Sequence, residues 1–261
     1  MRMLDLFSGI GGFALAASWV WGDELEIEGF CEIDGYCQKV LEKNFPGVPI
    51  HPDITKLRGH QFKKIDLITG GFPCQDISVA GKGAGIDGER SGLWTEMCRL
   101  IGEVRPRCAL IENVPMLIHR GLERVLCDLT EIGYDAEWQV IGADDVGARH
   151  KRKRIWIVAD TASVGSSGPG QSQYSGHQTS PGEGETANFI DERIGDIWTV
   201  EPDVGRVAHG VPKRVDRLKG LGNAIVPQVA ALIMQMIKDS PKIWKPLWSG
   251  KKQTRGFQTN L

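Results

Sequence analysis

Residues 70–78 run Gly70-Gly71-Phe72-Pro73-Cys74-Gln75-Asp76-Ile77-Ser78, and the thiol of Cys74 is the first group here with reactive chemistry to offer. It follows a proline directly after the apolar run 65–69, which reads as a buried strand. Glycines 70 and 71 let the backbone turn, and the proline fixes the residue just before the sulfur. A thiol at the carboxyl end of a strand in an open α/β sheet sits where such folds place ligands and chemistry. The competing reading is a buried structural cysteine, since free cysteine is among the most buried residue types.

A carboxylate and two arginines come next. Cys108-Ala109-Leu110-Ile111-Glu112-Asn113-Val114-Pro115 reads as another buried strand with an acid at its carboxyl end. Burying a glutamate is costly unless it has a task or a partner, so Glu112 is either a working acid or half of an ion pair with a nearby arginine. Arg149-His150-Lys151-Arg152-Lys153-Arg154 leads straight into the apolar run 155–159. Alternation with period two puts His150, Arg152 and Arg154 on one face, and two arginines on one strand edge can fork onto a phosphate or a base carbonyl. A solvated charged face is the other reading of such a run.

At the amino end, Asp5-Leu6-Phe7-Ser8-Gly9-Ile10-Gly11-Gly12-Phe13 is a strand running into a glycine-rich turn that opens a helix, and Glu32 ends the next strand 20 residues beyond Gly12. That is the layout of an adenosine-cofactor site, in which glycines admit close approach and a carboxylate takes the ribose hydroxyls. The spacing is Gly-x-Gly-Gly, so a smaller adenosine ligand such as S-adenosylmethionine fits at least as well as a dinucleotide; a tight structural turn is the alternative. Asp53, after a third short strand, is placed either to reach an adenine amino group or to cap a helix.

The elements that must position these groups alternate along the first 160 residues. Strands are expected over 3–7, 26–32, 65–69, 108–113, 137–141 and 154–159, with helices near 13–21, 36–44, 93–104 and 121–131. Such alternation implies parallel strands joined by helical crossovers, hence a doubly wound sheet. From Thr161 the texture changes: 161–187 is dominated by Gly, Ser, Thr, Gln and Pro, and no Lys or Arg occurs between Thr161 and Glu192. This reads as a flexible connection. A helix is expected over 229–238, and 239–261 reads as a basic, loosely packed tail.

Composition bounds the function. A chain of 261 residues, 41% hydrophobic and 25% charged with a net charge of −2, is ordinary globular material without a global basic coat. Six cysteines at 31, 37, 74, 98, 108 and 127 form no Cys-x-x-Cys pair, which gives no support to a zinc site or a disulfide framework. No signal peptide and no membrane span are expected. A cytoplasmic protein with reduced thiols and no metal fits these features.

Taken in order, the segments Asp5–Phe13, Glu32, Asp53, Gly71–Ser78, Glu112-Asn113-Val114, His150–Arg154 and Gly222-Asn223-Ala224-Ile225-Val226-Pro227 closely resemble the C5-cytosine DNA methyltransferases, most of all phage- and prophage-borne members. The resemblance covers most of 1–160 and 205–238. It implies a Rossmann-like, doubly wound and mostly parallel α/β sheet completed by 206–238, with a reduced second target-recognition region over 161–205. It also implies transfer of a methyl group from S-adenosylmethionine, leaving S-adenosylhomocysteine, to a flipped-out cytosine in double-stranded DNA.

By the same resemblance Cys74 would add to cytosine C6, Glu112 would protonate N3, and Arg152 and Arg154 would brace the base, the acid and the target phosphate. The cofactor would be lined by Phe7, Ser8, Gly9, Ile10, Gly11 and Gly12 at the turn. Glu32, Ile33, Asp53 and Ile54 would meet its adenosine, and Pro73, Leu93, Asn223 and Ala224 would complete the site. Residues 76–92, with five glycines, would be the lid closing over the base.

Two departures stand out. His150 replaces the family's usual Gln, and the short, low-complexity 161–205 segment points to a very short recognition site, loose specificity, or readout shared with the lid. A monomer is expected, and a cognate restriction endonuclease is not legible in the chain. A tRNA cytosine-5 methyltransferase of the same chemistry and an inactive DNA-binding homologue stay open as alternatives. A nicotinamide-dependent dehydrogenase lacks its hydride-transfer constellation.

Overall fold

The computed structural model describes residues 1–73, 92–161 and 214–239; Cys74, most of the 76–92 lid, the 161–205 region beyond Thr161 and the tail after Asp239 lie outside them. The elements in chain order are β1 (Arg2–Leu6), α1 (Gly12–Trp21), β2 (Glu26–Cys31), α2 (Gly35–Asn44), β3 (Ile50–His51), β4 (Leu67–Gly70) and α3 (Leu93–Val104). There follow β5 (Cys108–Asn113), α4 (Leu117–Arg120), α5 (Leu122–Glu131), β6 (Tyr134–Ile141), β7 (Arg154–Thr161), α6 (Arg214–Asn223) and α7 (Pro227–Asp239).

The seven strands form one sheet in the order β3-β2-β1-β4-β5-β7-β6. All of β4 and β5 and four of the five residues of β1 are buried, which is why these strands are predominantly apolar, with Asp5, Thr69, Glu112 and Asn113 as their buried polar exceptions. Alternation divides them between two faces. Met3, Leu67, Leu110 and Trp156 pack under α1 and α7, whereas Leu4, Ile68, Ala109, Ile111 and Ile157 pack under α3 and α5. Helix α3 turns Trp94, Met97, Leu100 and Ile101 inward at helical spacing.

Strands β3, β2, β1, β4 and β5 run parallel, as the helical crossovers require, but β7 runs antiparallel to both β5 and β6. The reason is the 142–153 connection, which holds a 3-10 turn (Asp144–Val146) and no α-helix, so the chain turns back instead of crossing over. The sheet is therefore mostly parallel with one reversed strand. Lys219–Asp239 is long and apolar enough to match a membrane span by length and composition, yet it breaks into α6 and α7, and α7 turns eight side chains into the core.

At the centre, Asp5 is fully buried; its Oδ1 accepts from Thr69 Oγ1 at 2.6 Å, and Oδ2 has no hydrogen-bond partner among the described residues. Burial raises its pKa from 3.8 to about 7, with Thr69 pulling the other way. A folded-state pKa above the unfolded one gives stability that is complete below about pH 4 and lost as pH rises through about 7. Asp5→Asn should flatten this fall. Urea midpoints between pH 5 and pH 8 check it: an undiminished slope in the variant would show that Asp5 is ionised in the native protein throughout.

Candidate functional site

The turn after β1 is held in a conformation that its residues do not favour alone. Phe7 has φ 53°, Gly9 φ 54° and Gly11 φ 88°. For a bulky residue such as Phe7, the left-handed region costs about 1–3 kcal/mol and persists only where the surroundings enforce it. Ser8 enforces it here: its N–H donates to Cys31 O at 3.1 Å and its hydroxyl to Asp5 O at 2.7 Å. The glycines then divide by task. A side chain at Gly11 would strike Phe45 and Leu41, and one at Gly12 would strike Ile225, so these two let protein pack against protein. At Gly9 nothing lies within 4 Å, so the space there is open to a ligand.

Glu32, just beyond β2, closes the turn from the other side. Its Oε2 accepts from Gly9 N–H and its Oε1 from Asp34 N–H, each at 2.7 Å. A carboxylate has about four acceptor sites, so hydroxyls can still be bound. Ile33 beside it is 82% exposed, an apolar surface with no protein cover among the described residues. An open glycine turn, a carboxylate and a bare apolar side chain at one sheet edge fit an adenosine ligand. They lie beside β1, where the strand order switches from β2 on one side to β4 on the other, the usual place for such ligands. Asp53 acts as a cap: its Oδ1 accepts from Thr55 N and Oγ1 at 3.0 and 2.7 Å. Ile54 is buried behind it.

The reactive edge is built on β5. Glu112 lies opposite Trp156 in the β5–β7 register, and Arg154 Nε meets its Oε1 at 2.9 Å. Burial pushes the Glu112 carboxyl up to about 7, while Arg154 and Arg152 pull it down. The ion-pair reading of this residue therefore holds, and the opposing effects of burial and cations leave its carboxyl raised above the usual carboxylate range. A Cβ on Gly71 would stand 2.9 Å from Glu112 Oε2. The bare glycine thus leaves the space that the carboxylate occupies, while its φ lies outside the left-handed region and gives no sign of a glycine-dependent turn. Asn113 fixes the facing backbone: its Nδ2 donates to Phe72 O at 3.1 Å, and its Oδ1 accepts from Val114 N–H at 2.9 Å.

Although β7 begins only at Arg154, burial alternates through 151–154, with Arg152 and Arg154 half-buried and Lys151 and Lys153 exposed. Arg152 donates to Gly222 O at 2.8 Å and Ala224 O at 2.5 Å, gripping the segment that returns after α6. Burial and the like charge of Arg154 lower its pKa. Asn223 is exposed at the end of α6, with Ala224 half-buried behind it, while Ile10 touches the open face of Gly220. Pro73 and Leu93 flank the undescribed 74–91 and are half-buried. Cys74 itself lies outside the described residues. Burial pushes Cys31, Cys37 and Cys108 to about 12 and Cys98 to about 11, which leaves those thiols unreactive. Among the described residues, no cluster of three or more His, Cys, Asp or Glu is placed to hold a metal ion.

Residues 1–199 match the family described as C-5 cytosine-specific DNA methylase. The type II methyltransferase M2.BsuMI of Bacillus subtilis (strain 168) is 40% identical over 167 residues, 61% of this chain and 42% of the relative. The type II methyltransferase M1.ScrFI of Lactococcus lactis subsp. cremoris is 35% identical over 207 residues, 76% of this chain and 51% of the relative. The chain thus spans about half the length of the curated relatives it matches. Among solved structures, the Entamoeba histolytica methyltransferase EhMeth shares the fold with a TM-score of 0.65 over 93% of this chain and 99% of that one, at 14% identity.

Arg154 is the counter-charge that keeps Glu112 from rising further. In Arg154→Met the carboxyl should titrate roughly one pH unit or more above its wild-type midpoint. A carbon-13 NMR titration of labelled glutamate side chains reads this directly. A wild-type Glu112 titrating in the ordinary range of exposed carboxylates would refute the poised acid.

Proposed function

The chain belongs to the C-5 cytosine-specific DNA methylase family, and from that premise we propose that it methylates C5 of cytosine in double-stranded DNA, with Cys74 as nucleophile and Glu112 as acid. The observation that carries this reading is the buried Glu112 carboxyl, titrating at about 7 against Arg154 and facing Gly71. Pro73, in the backbone that Asn113 holds across from that acid, is one peptide bond from Cys74.

Cytosine C5 is a weak nucleophile until the ring is activated. The Cys74 thiolate forms a bond to C6, and the C5–C6 pair of electrons moves to C5 as Glu112 delivers its proton to N3. S-adenosylmethionine, when bound, supplies an electrophilic sulfonium methyl group, which C5 accepts. Loss of the C5 proton to a base then restores the double bond and expels the thiolate, and the N3 proton returns to Glu112. The cations of Arg152 and Arg154 favour thiolate nearby. Because C5 and C6 are inaccessible inside a duplex, the base must be flipped out, at a cost of a few kcal/mol.

The chain's own residues would hold the cofactor from three sides. Gly9 leaves room at the turn that Phe7 and Ser8 define; Glu32 would accept from the ribose hydroxyls, and the exposed Ile33 would cover the adenine. Asp53 and Ile54 would flank the base, while Pro73, Leu93 and Asn223 would face the methionine end. Burial sets Cys31, Cys37, Cys98 and Cys108 aside, and of Cys74 and the exposed Cys127 it is Cys74 that follows the carboxyl end of β4, the strand next to that of Glu112.

The test is base-resolution 5-methylcytosine sequencing of DNA from a methylation-free bacterial host expressing the chain, with Cys74→Ala alongside. Methylation in a defined sequence context is expected from the wild type, and none from the variant, which should still bind S-adenosylmethionine. Methylation by Cys74→Ala would sink the mechanism. Unmethylated DNA with methylated tRNA from the same cells would reassign the substrate to RNA.

A further inference from the structure

Helix α6 arrives at the cofactor edge from the far end of the chain, and two of its described apolar side chains face solvent. Val215 is 77% and Leu221 48% exposed. Its bare Gly220 backbone lies against Ile10 and Tyr36, with room for contacts of 3.4 and 3.5 Å to a Cβ at that position. One residue before it, Lys219 Nζ meets Asp34 Oδ2 at 2.7 Å, across 185 residues of sequence. The Asp34 side chain also caps α2, its Oδ1 accepting from Tyr36 and Cys37 N–H at 2.9 and 3.1 Å. Its own N–H donates to Glu32 Oε1 at 2.7 Å, and Glu32 Oε2 takes Gly9 N–H at the same distance. An unbroken polar chain thus runs Lys219–Asp34–Glu32–Gly9 from α6 to the open glycine.

Lys219 is 62% and Asp34 27% exposed, and ion pairs this open to solvent add little to folding stability. What this pair can do is select one arrangement. It fixes where α6, and so Asn223 four residues on, stands relative to Glu32. We propose that Lys219 is a positioning residue for the cofactor: its ion pair with Asp34 docks the return segment against the ribose carboxylate, so that the two distant parts of the chain form one binding edge. This rests on the methyltransferase reading above. Arg152, through the carbonyls of Gly222 and Ala224, anchors the other side of the same segment.

The experiment is calorimetric titration of S-adenosylmethionine and S-adenosylhomocysteine into wild type, Lys219→Met, Lys219→Arg, Asp34→Asn and the Met/Asn double variant. Asparagine caps helices as well as aspartate, so Asp34→Asn removes the charge and keeps the cap. Each of Lys219→Met and Asp34→Asn should weaken cofactor binding about threefold to tenfold, the double variant no further than either single one. Lys219→Arg should bind within about twofold of wild type, and the deficit of Lys219→Met should shrink near 1 M salt, where screening acts within about 3 Å. The apparent KM for cofactor should rise while kcat at saturation stays within about twofold, and melting temperatures should barely move. Wild-type binding that Lys219→Met leaves unchanged, or losses that add in the double variant, would overturn the proposal alone. Wild-type protein that binds neither ligand would overturn the methyltransferase reading and this proposal with it.

Discussion

The contact between Arg154 and Glu112 is the constraint around which the reactive edge is arranged. A carboxyl group at the end of a buried strand loses its water, and that loss pushes it toward the neutral form; one guanidinium at 2.9 Å pushes it back. Neither effect alone leaves an acid useful near neutrality. The neighbours then follow as conditions on that balance. Gly71 must lack a side chain because the carboxylate occupies the space, and Asn113 must hold Phe72 O so that the facing backbone does not collapse into it. Asp5, buried within β1 with β4 between it and β5, has its carboxyl pushed up to about 7 by the same loss of water.

Closure of the chain is the second organising fact. Residues near the beginning and near the end meet at one edge through Gly12 against Ile225, Gly220 against Ile10, Lys219 on Asp34, and Arg152 on two carbonyls. One of these contacts, at Gly12, depends on a missing side chain and two on a cation reaching across, so close approach and polar tethering both hold this edge together. Helix α7 supplies a larger apolar interface against α1, and α6 follows its lead.

The sequence made the central strands legible because β1, β4 and β5 are buried on both faces and are predominantly apolar. It did not show that β7 reverses, since direction is a property of the connection before a strand and the 142–153 segment has no amphipathic signature to read. Strand alternation places Arg152 with Arg154, and the exposure of Lys151 and Lys153 on either side of it follows that pattern, but its grip on the Gly222 and Ala224 carbonyls leaves no sign in local spacing. Glu112 and Glu32 were found as acids at strand ends, the one position where a carboxylate in a parallel sheet stands out. Asp34 and Lys219 gave no sign, because an ion pair spanning 185 residues leaves no trace in local spacing. Gly11 and Gly12 were legible as glycines but not as packing sites, for their neighbours Phe45 and Ile225 lie elsewhere in the chain.

The reversal of β7 has a geometric outcome. Its eight residues begin at the reactive edge with Arg154 and end at Thr161, where the N–H bonds Arg107 O beside the start of β5. At about 3.3 Å per residue the strand carries the chain roughly 26 Å away from the acid it serves. The chain therefore leaves the described sheet at the rim opposite Glu112 and is met again only at Arg214, in α6. The pairing of Arg154 with Glu112 is thus fixed at the very start of β7, by residues that precede Thr161, whatever follows it.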